Sequence, residues 1–419
     1  MLTRRTALAA ATVSTVASTL APGHPRAQSR AQSRAQSRPL RIGVLTDLSG
    51  PYADSGEGSL VAAQMAAEDY RKIDPSLQVE IVGGDMQGKA DVGLTIARSW
   101  LDREGIDAIA DMPQSAMALA VVPMVRERDK VALVNAAVSS DITGSACSPN
   151  TVHWTYDTAS LAMGTGRSLV AQGKDSWFFI TADYAFGHSL ANDTMAVVRA
   201  AGGSVLGEAA HPFPGTTDFS SYLLAAQASG AKVVGLANAG NDVINCVKQA
   251  HEFGLTRGGR QQMAALLLVL SGVHALGLET AQGLLMTEPF YWDRTETSRA
   301  WSMRFQPRNP RRAMPLSPAA GCYSCMLHYL KAVSALGVDK ARASGRATVD
   351  AMKAMPVDDA LFGRNVIRAD GRLLNAMFLF QVKAPGDSKY PWDYLSVVNT
   401  LAGQDSYKPM APRCDFGAR

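Results

Sequence analysis

After residue 38 the sequence has no apolar run long enough to cross a bilayer; its most apolar stretch, Ala264 to Leu270, is far too short. It has no basic stripe either. The formal net charge is +4 over 419 residues, with Arg and Lys scattered, so no nucleic-acid partner is implied. The signatures of catalysis are missing as well. There is no G-x-x-x-x-G-K-[ST] loop to cradle phosphates, no G-x-S-x-G elbow and no H-E-x-x-H. Gly56-Glu57-Gly58 supplies two glycines of a dinucleotide fingerprint, but Val61 takes the place of the third and no acid is placed to hold a ribose. No cofactor is therefore expected.

Metal-ligating clusters are nearly absent. The seven histidines are scattered, and only Cys322, Cys325 and His328 fall together on one helical face. A structural zinc site needs a fourth ligand and usually a loop. The plainer reading is that Cys322 and Cys325 are small core residues of a packed helix. Cysteine is sparse, at five residues. Cys147 and Cys414 lie in polar, loop-like surroundings and are the candidates for a disulfide, whereas Cys246 sits in helical sequence as a buried thiol. Spacing alone does not decide the pairing.

What is present is a long, ordinary globular composition, 47% hydrophobic and 19% charged, too long for a single core. The first residues differ. Thr3-Arg4-Arg5 opens a mildly apolar Ala/Thr/Ser/Val stretch that ends near Pro22, Gly23 and Pro25. That is the layout of an export signal over residues 1–27, of the twin-arginine or general secretory kind, and it predicts a periplasmic location. AQSR then repeats three times to Arg38, giving a polar spacer over residues 28–38 with no catalytic meaning.

From Leu40 on, strands and helices alternate. Leu40–Thr46 reads as a strand and Gly58–Lys72 as a helix, and the rhythm continues through a strand at Val131–Val134. A second series starts with a helix at Ala159–Ala171 and a strand at Trp177–Thr181 and reaches a strand-like Leu266–Val269. A helical block and two extended segments close the chain. The pattern predicts an α/β protein with parallel-sheet cores in two similar lobes.

In such sheets ligands sit beyond the carboxyl ends of the strands, near helix N-termini. The loops there are Asp47 to Glu57, Asp111 to Ser115, Asn135 to Thr143, Thr181 to Gly187 and Ala237 to Asn241. They carry Ser, Thr, Asn and aromatic residues, which suits a small polar or anionic solute. Asp183-Tyr184-Ala185-Phe186-Gly187 has an acid beside aromatics, yet no nucleophile or second acid lies at a fixed spacing; Tyr184 and Phe186 read better as a stacking wall. In His153-Trp154-Thr155-Tyr156-Asp157, His153 reads as structural, whereas Tyr156 is placed to reach a cleft.

IGVLTDLSGPYADSGEGSLVAAQMAAED, SSDITGSACSPNTVHWTYDT, WFFITADYAFGHSLAND, DFSSYLLAAQASGAKVVGLANAG and LFGRNVIRADGR together resemble the solute-binding proteins of ABC importers. The type is the branched-chain amino-acid (leucine/isoleucine/valine) binder, a type I periplasmic binding protein, and the likeness spans the chain after Arg38. The resemblance implies two Rossmann-like lobes joined by three crossovers, with a ligand cleft between them. On this chain the lobes would be 39–157 plus 289–365 and 158–288 plus 366–419, with crossovers near Asp157, Met286–Pro289 and Phe362–Arg368. It implies a carboxylate held by Ser115, Ala137 and Ser139, with Ser140 competing, and a ring closing over the solute from Phe186. Tyr52, Tyr156 and Asn238 also map to the cleft. The implied partners are a small solute and the importer's membrane permease, met by a monomer that is not itself membrane-inserted after signal cleavage.

One departure bears on the solute. Amino-acid binders of this type usually supply an acid after the strand equivalent to Leu266–Val269, yet LLLVLSGVHALG has none. A buried ammonium without a partner is costly. The expectation is therefore an aromatic or aliphatic acid rather than a branched-chain amino acid, with an amide or urea-like solute as a further option. A free-standing periplasmic sensor and an exported enzyme on the same scaffold are the rival functions.

Overall fold

A computed structural model describes residues 38–256 and 261–416. The expected signal and all of the spacer but Arg38 lie outside the described residues. Two parallel sheets carry the fold. The first contains β1 (Leu40–Thr46), β2 (Val79–Asp85), β3 (Ala108–Asp111), β4 (Val131–Val134) and β5 (Thr151–His153), in the order β2-β1-β3-β4-β5. The second contains β6 (Ser176–Ala182), β7 (Ser204–His211), β8 (Val233–Ala237) and β9 (Gln262–Ala265), in the order β7-β6-β8-β9. Most of these strands are short apolar runs buried on both faces, as a parallel sheet covered by helices requires. In both sheets the first strand pairs with the next two, one on each side. That is a topological switch point, where the loops leaving the strand ends diverge and open a crevice.

Helices join the strands. Those that matter for the site are α1 (Ala53–Ile73), α2 (Ala90–Ser99), α3 (Ser115–Glu127), α4 (Thr158–Leu161), α5 (Ala185–Ala200), α6 (Ser220–Ala228), α7 (Asn241–Glu252), α8 (Leu270–Leu276), α9 (Glu296–Phe305) and α10 (Ser317–Leu336). A third, antiparallel sheet is built from β10 (Leu285–Glu288), β13 (Met377–Val382) and β14 (Leu395–Leu401). β11 (Val357–Asp359) and β12 (Gly363–Asn365) form a hairpin.

The chain leaves the first sheet through Trp154 to Asp157 and returns after β10 to α9 and α10, which pack back on α1; Arg304 and Tyr323 both reach Asp69 there. The third passage lies further along than the expected Phe362–Arg368. Arg372 still bridges to His153 at the edge of the first sheet. It is completely buried, its guanidinium lies 4.6 Å from the Tyr407 ring and 3.8 Å from the Asp157 carboxylate, and it donates to the Thr155 and Leu373 carbonyls. Those contacts hold the segment to the first sheet until Leu373.

Two other expectations shift. α1 begins at Ala53, not Gly58, because the Asp47 carboxylate turns the chain early into helix. The run Leu266–Val269 is a loop, and the strand is Gln262–Ala265 before it. Apolarity continues past the strand because Leu266, Leu267 and Leu268 are buried in the loop as well, so hydrophobicity could not mark the boundary.

Cys147 and Cys414 form a disulfide, and Cys246, Cys322 and Cys325 are buried free thiols. The bridge ties the end of the chain to the loop after β4 across 267 residues of sequence, and Lys408 adds contacts to Asp193 and Ser140 beside it. Replacing both bridged cysteines with Ser should lower unfolding free energy by roughly 2–4 kcal/mol, read from urea unfolding; an unchanged midpoint would assign the anchoring to Lys408 alone.

Candidate functional site

The loop after β1 is shaped by one buried carboxylate. Asp47 accepts the Gly50 and Gly88 amides on Oδ1, at 2.8 and 3.1 Å, and the Tyr52 amide on Oδ2 at 3.0 Å. These bonds turn the chain straight into helix, so α1 starts five residues earlier than the periodicity predicts. Gly56 is required by contact: a Cβ there would lie 2.0 Å from the Asp47 carbonyl oxygen. The turn delivers Tyr52, whose hydroxyl is 2.6 Å from that of Tyr184, just ahead of α5. Tyr52 thus belongs to the first sheet's loops and Tyr184 to the second's. Phe213 stacks on Tyr184 at 4.3 Å and on Tyr52 at 6.0 Å.

Beneath this contact lies a cavity of about 70 Å³, room for roughly five waters. Every one of its walls comes from a strand-end loop, from the first turn of the helix after it, or from the entry to α10. Tyr52, Asp54 and Ser55 follow β1, Pro113 follows β3, and Ala136, Val138 and Tyr156 follow β4 and β5. From the second sheet come Tyr184 and Phe186 after β6, Ala239 and Gly240 after β8, and Leu267 and Val269 after β9; Leu316 and Pro318 complete the lining. The two switch-point crevices therefore face one another. An outer pocket of about 370 Å³ adjoins the cavity and shares Asp54, Gly240, Val269 and Leu316 with it.

Four of the residues expected from the sequence, Tyr52, Tyr156, Tyr184 and Phe186, line this cavity. Ser115, Ala137, Ser139, Ser140 and Asn238 do not, because their polar groups hold the loops together behind the wall. Ser115 Oγ accepts the Val138 and Ser139 amides at 3.3 and 3.2 Å. The Ala137 carbonyl is bonded to His153 Nε2 at 2.8 Å. Ser139 Oγ donates to Ser189 Oγ, and Ser140 Oγ to Asp193 at 2.7 Å. Asn238 Nδ2 lies 3.3 Å from His211 Nε2 and reaches Cys246 Sγ; its neighbours Ala239 and Gly240 form the wall instead. His153 is a structural residue, held neutral by burial and by the nearby Arg372 charge.

Residues 39–388 match the sequence-family model described as Periplasmic binding protein. This chain belongs to that family. A periplasmic binding protein from Burkholderia mallei is 42% identical, with 91% of this chain and 98% of that one covered and a TM-score of 0.84. A branched-chain amino acid ABC transporter periplasmic ligand-binding protein from Burkholderia xenovorans is 36% identical over 88% of this chain and 97% of that one, TM-score 0.78. A solute-binding protein from R. palustris in complex with 4-hydroxybenzoate shares the fold, with TM-score 0.77 over 87% of this chain and 97% of that one at 19% identity. No curated protein matches by sequence.

The protein is thus a solute-binding protein of the ABC-transporter type and not an enzyme. Among the described residues no helix is long and apolar enough to cross a membrane, and no group of three or more His, Cys, Asp or Glu could hold a metal. Cys322 and Cys325 are fully buried in α10, with thiols pushed up by burial, and His328 Nε2 is bonded to the Met352 carbonyl at 2.8 Å.

The binding protein keeps several acids close to its cavity. The end of β3 and the residue after it, Asp111 and Met112, have φ of 78° and 60°, left-handed values that non-glycine residues rarely adopt. The Asp111 carboxyl is fully buried. Burial pushes it up to about 7, and the nearby Thr46 and Ser59 hydroxyls pull it partway back without closing a hydrogen bond. Burial likewise pushes Glu288 up to about 8, opposed by the Ser317 hydroxyl that donates to it. Tyr156 lies within range of both and of Asp54, and its phenol is raised by burial first and by Glu288, Asp111 and Asp54 after. Of these acids only Asp54 lines the cavity. It is an acid in the first turn of a helix that follows a strand-end loop, a signal the sequence did contain.

Because folded Glu288 holds its proton more tightly than the unfolded chain does, it costs stability as pH rises from about 4.5 to about 8. Glu288→Gln should flatten that decline. Urea midpoints at pH 5 and pH 8.5 should converge in the variant relative to wild type, with Asp111 leaving a residual slope; an unaltered slope would exclude Glu288 as its source.

Proposed function

We propose that this protein is the extracytoplasmic binding component of an ABC importer and carries a small carboxylate-bearing solute to its permease. The observation that carries the carboxylate is the state of Ser115. Its oxygen accepts two backbone amides, so its hydroxyl hydrogen is what remains to be offered, and among the described residues no acceptor takes it. It sits at the first position of α3, where backbone N–H groups and the helix dipole favour an anion. Pro113, Ala136 and Val138, which flank it, form that end of the cavity. A carboxylate oxygen entering between them would meet the hydroxyl and the helix terminus together, and Ser139 and Ser140 would act by fixing the loop opposite.

The rest of the chamber is apolar and aromatic, which favours an aromatic or aliphatic body for the solute. A charge-assisted pair of hydrogen bonds plus one buried ring is enough for micromolar affinity, about −8 kcal/mol. In this reading residues 39–157 with 289–373 form one lobe and 158–288 with 374–419 the other, the Arg372 contacts moving the last boundary on from 365, and solute stabilises the closed arrangement by touching both. The Tyr52–Tyr184 hydroxyl contact and the Phe213 stack are the closing contacts. A monomer exported by the N-terminal signal would then present the closed form to the permease.

A thermal-shift screen of the mature protein against aliphatic acids, aromatic acids, amides and amino acids tests this, since binding to the folded state alone raises the midpoint. Ser115→Ala should weaken the binding of a carboxylate hit by roughly 1–3 kcal/mol. Unchanged affinity by calorimetry would remove Ser115 from the site, and a screen in which only uncharged amides register would remove the carboxylate.

A further inference from the structure

The cavity has two chemically different ends. At its inner end are Ser115, buried behind Pro113 and Val138, and the start of α3. At its outer end, marked by the residues it shares with the neighbouring pocket, the polar side chain is Asp54. Asp54 Oδ1 accepts the Ser55 amide at 2.9 Å, and Oδ2 accepts the Ser271 hydroxyl from α8. Each oxygen keeps unused acceptor capacity. No Lys, Arg or His lines the cavity, and among the described residues Asp54 makes no ion pair. The guanidinium that lines the outer pocket, Arg311, is held by Glu57 at 2.9 Å.

A carboxylate left unpaired at the mouth of an apolar, aromatic chamber repels a second anionic group and attracts a hydrogen-bond donor. We infer that Asp54 is a specificity-determining residue that reads a donor, an ammonium or a hydroxyl, on the end of the solute remote from its carboxylate. The solute is then bipolar, with its carboxylate at α3, an apolar or aromatic spacer between Tyr156 and Phe186, and the donor at Asp54. This rests on the proposal that the solute bears a carboxylate. It also changes the meaning of the acid missing after β9: that segment gives only Leu267 and Val269 to the wall, but an acid arrives from α1. The donor it selects is distal, because Asp54 borders the neighbouring pocket, which Pro113, Ala136 and Val138 around Ser115 do not reach.

Calorimetry with matched acids separates the outcomes. The probes are pentanoate, 5-hydroxypentanoate and 5-aminopentanoate, and benzoate with 4-hydroxybenzoate. Wild type should bind a donor-bearing member about 10-fold or more tighter than its plain acid, the scale of one hydrogen bond to a charged group. Asp54→Asn should erase that preference for the ammonium probe and keep part of it for the hydroxyl probes, which tells the two donors apart. Ser271→Ala, which frees Asp54 without touching α1, should alter the preference while leaving the plain acids unchanged. Plain acids binding as tightly as their donor-bearing partners in wild type would overturn the inference and leave the carboxylate reading standing. No binding of any of the probes would overturn both.

Discussion

The site depends first on the Asp47 carboxylate. A parallel strand must end, and the amides beyond its last residue must find acceptors or stay unpaired. Asp47 collects three of them, from both the β1–α1 turn and the β2–α2 turn, and so ties two neighbouring loops to one point. That bond set decides where α1 begins, and thereby which residues of the loop face the cavity: Tyr52 at its mouth and Asp54 at the start of the helix. The close approach it forces leaves room only for glycine at position 56. Gly56, which looks like part of a nucleotide fingerprint, is accounted for by packing.

The second constraint acts on the passages between sheets. Arg372 is a fully buried cation, which is tolerated only because carbonyls, the Tyr407 ring and the Asp157 carboxylate surround it. Asp157 in turn caps α4 through a reciprocal pair with Ser160. Three distant stretches of chain, near residues 155, 372 and 407, are thus locked to one charge.

Much of the fold was legible because its elements are strongly patterned. Leu40–Thr46 and Val131–Val134 emerge from apolar runs alone, and their parallel arrangement from the alternation of strands with helices. The aromatic residues that line the cavity were legible too, since Tyr52, Tyr156 and Tyr184 stand in loops at strand ends and Phe186 in the first turn after one. The serines were legible as site loops but not in their orientation. Whether a hydroxyl faces a solute or a backbone amide depends on the loop opposite, as with Ser115 beneath Val138 and Ser139. Leu316 and Pro318 carried no local signal, because they reach the cavity only when α10 packs back against α1.

Composition and periodicity by themselves determined the class of the molecule: an α/β chain with two strand–helix series, no cofactor loop and polar, aromatic loops where ligands bind. These are local properties, written in spacings of two and of 3.6 residues. Tertiary structure decided which side chains share a chamber. Asp54 and Ser271 are far apart in sequence and become partners only when two crevices face each other. The charge balance of a cavity is a sum over walls drawn from several loops, so an acid absent from one segment says nothing about the whole until the segments are brought together.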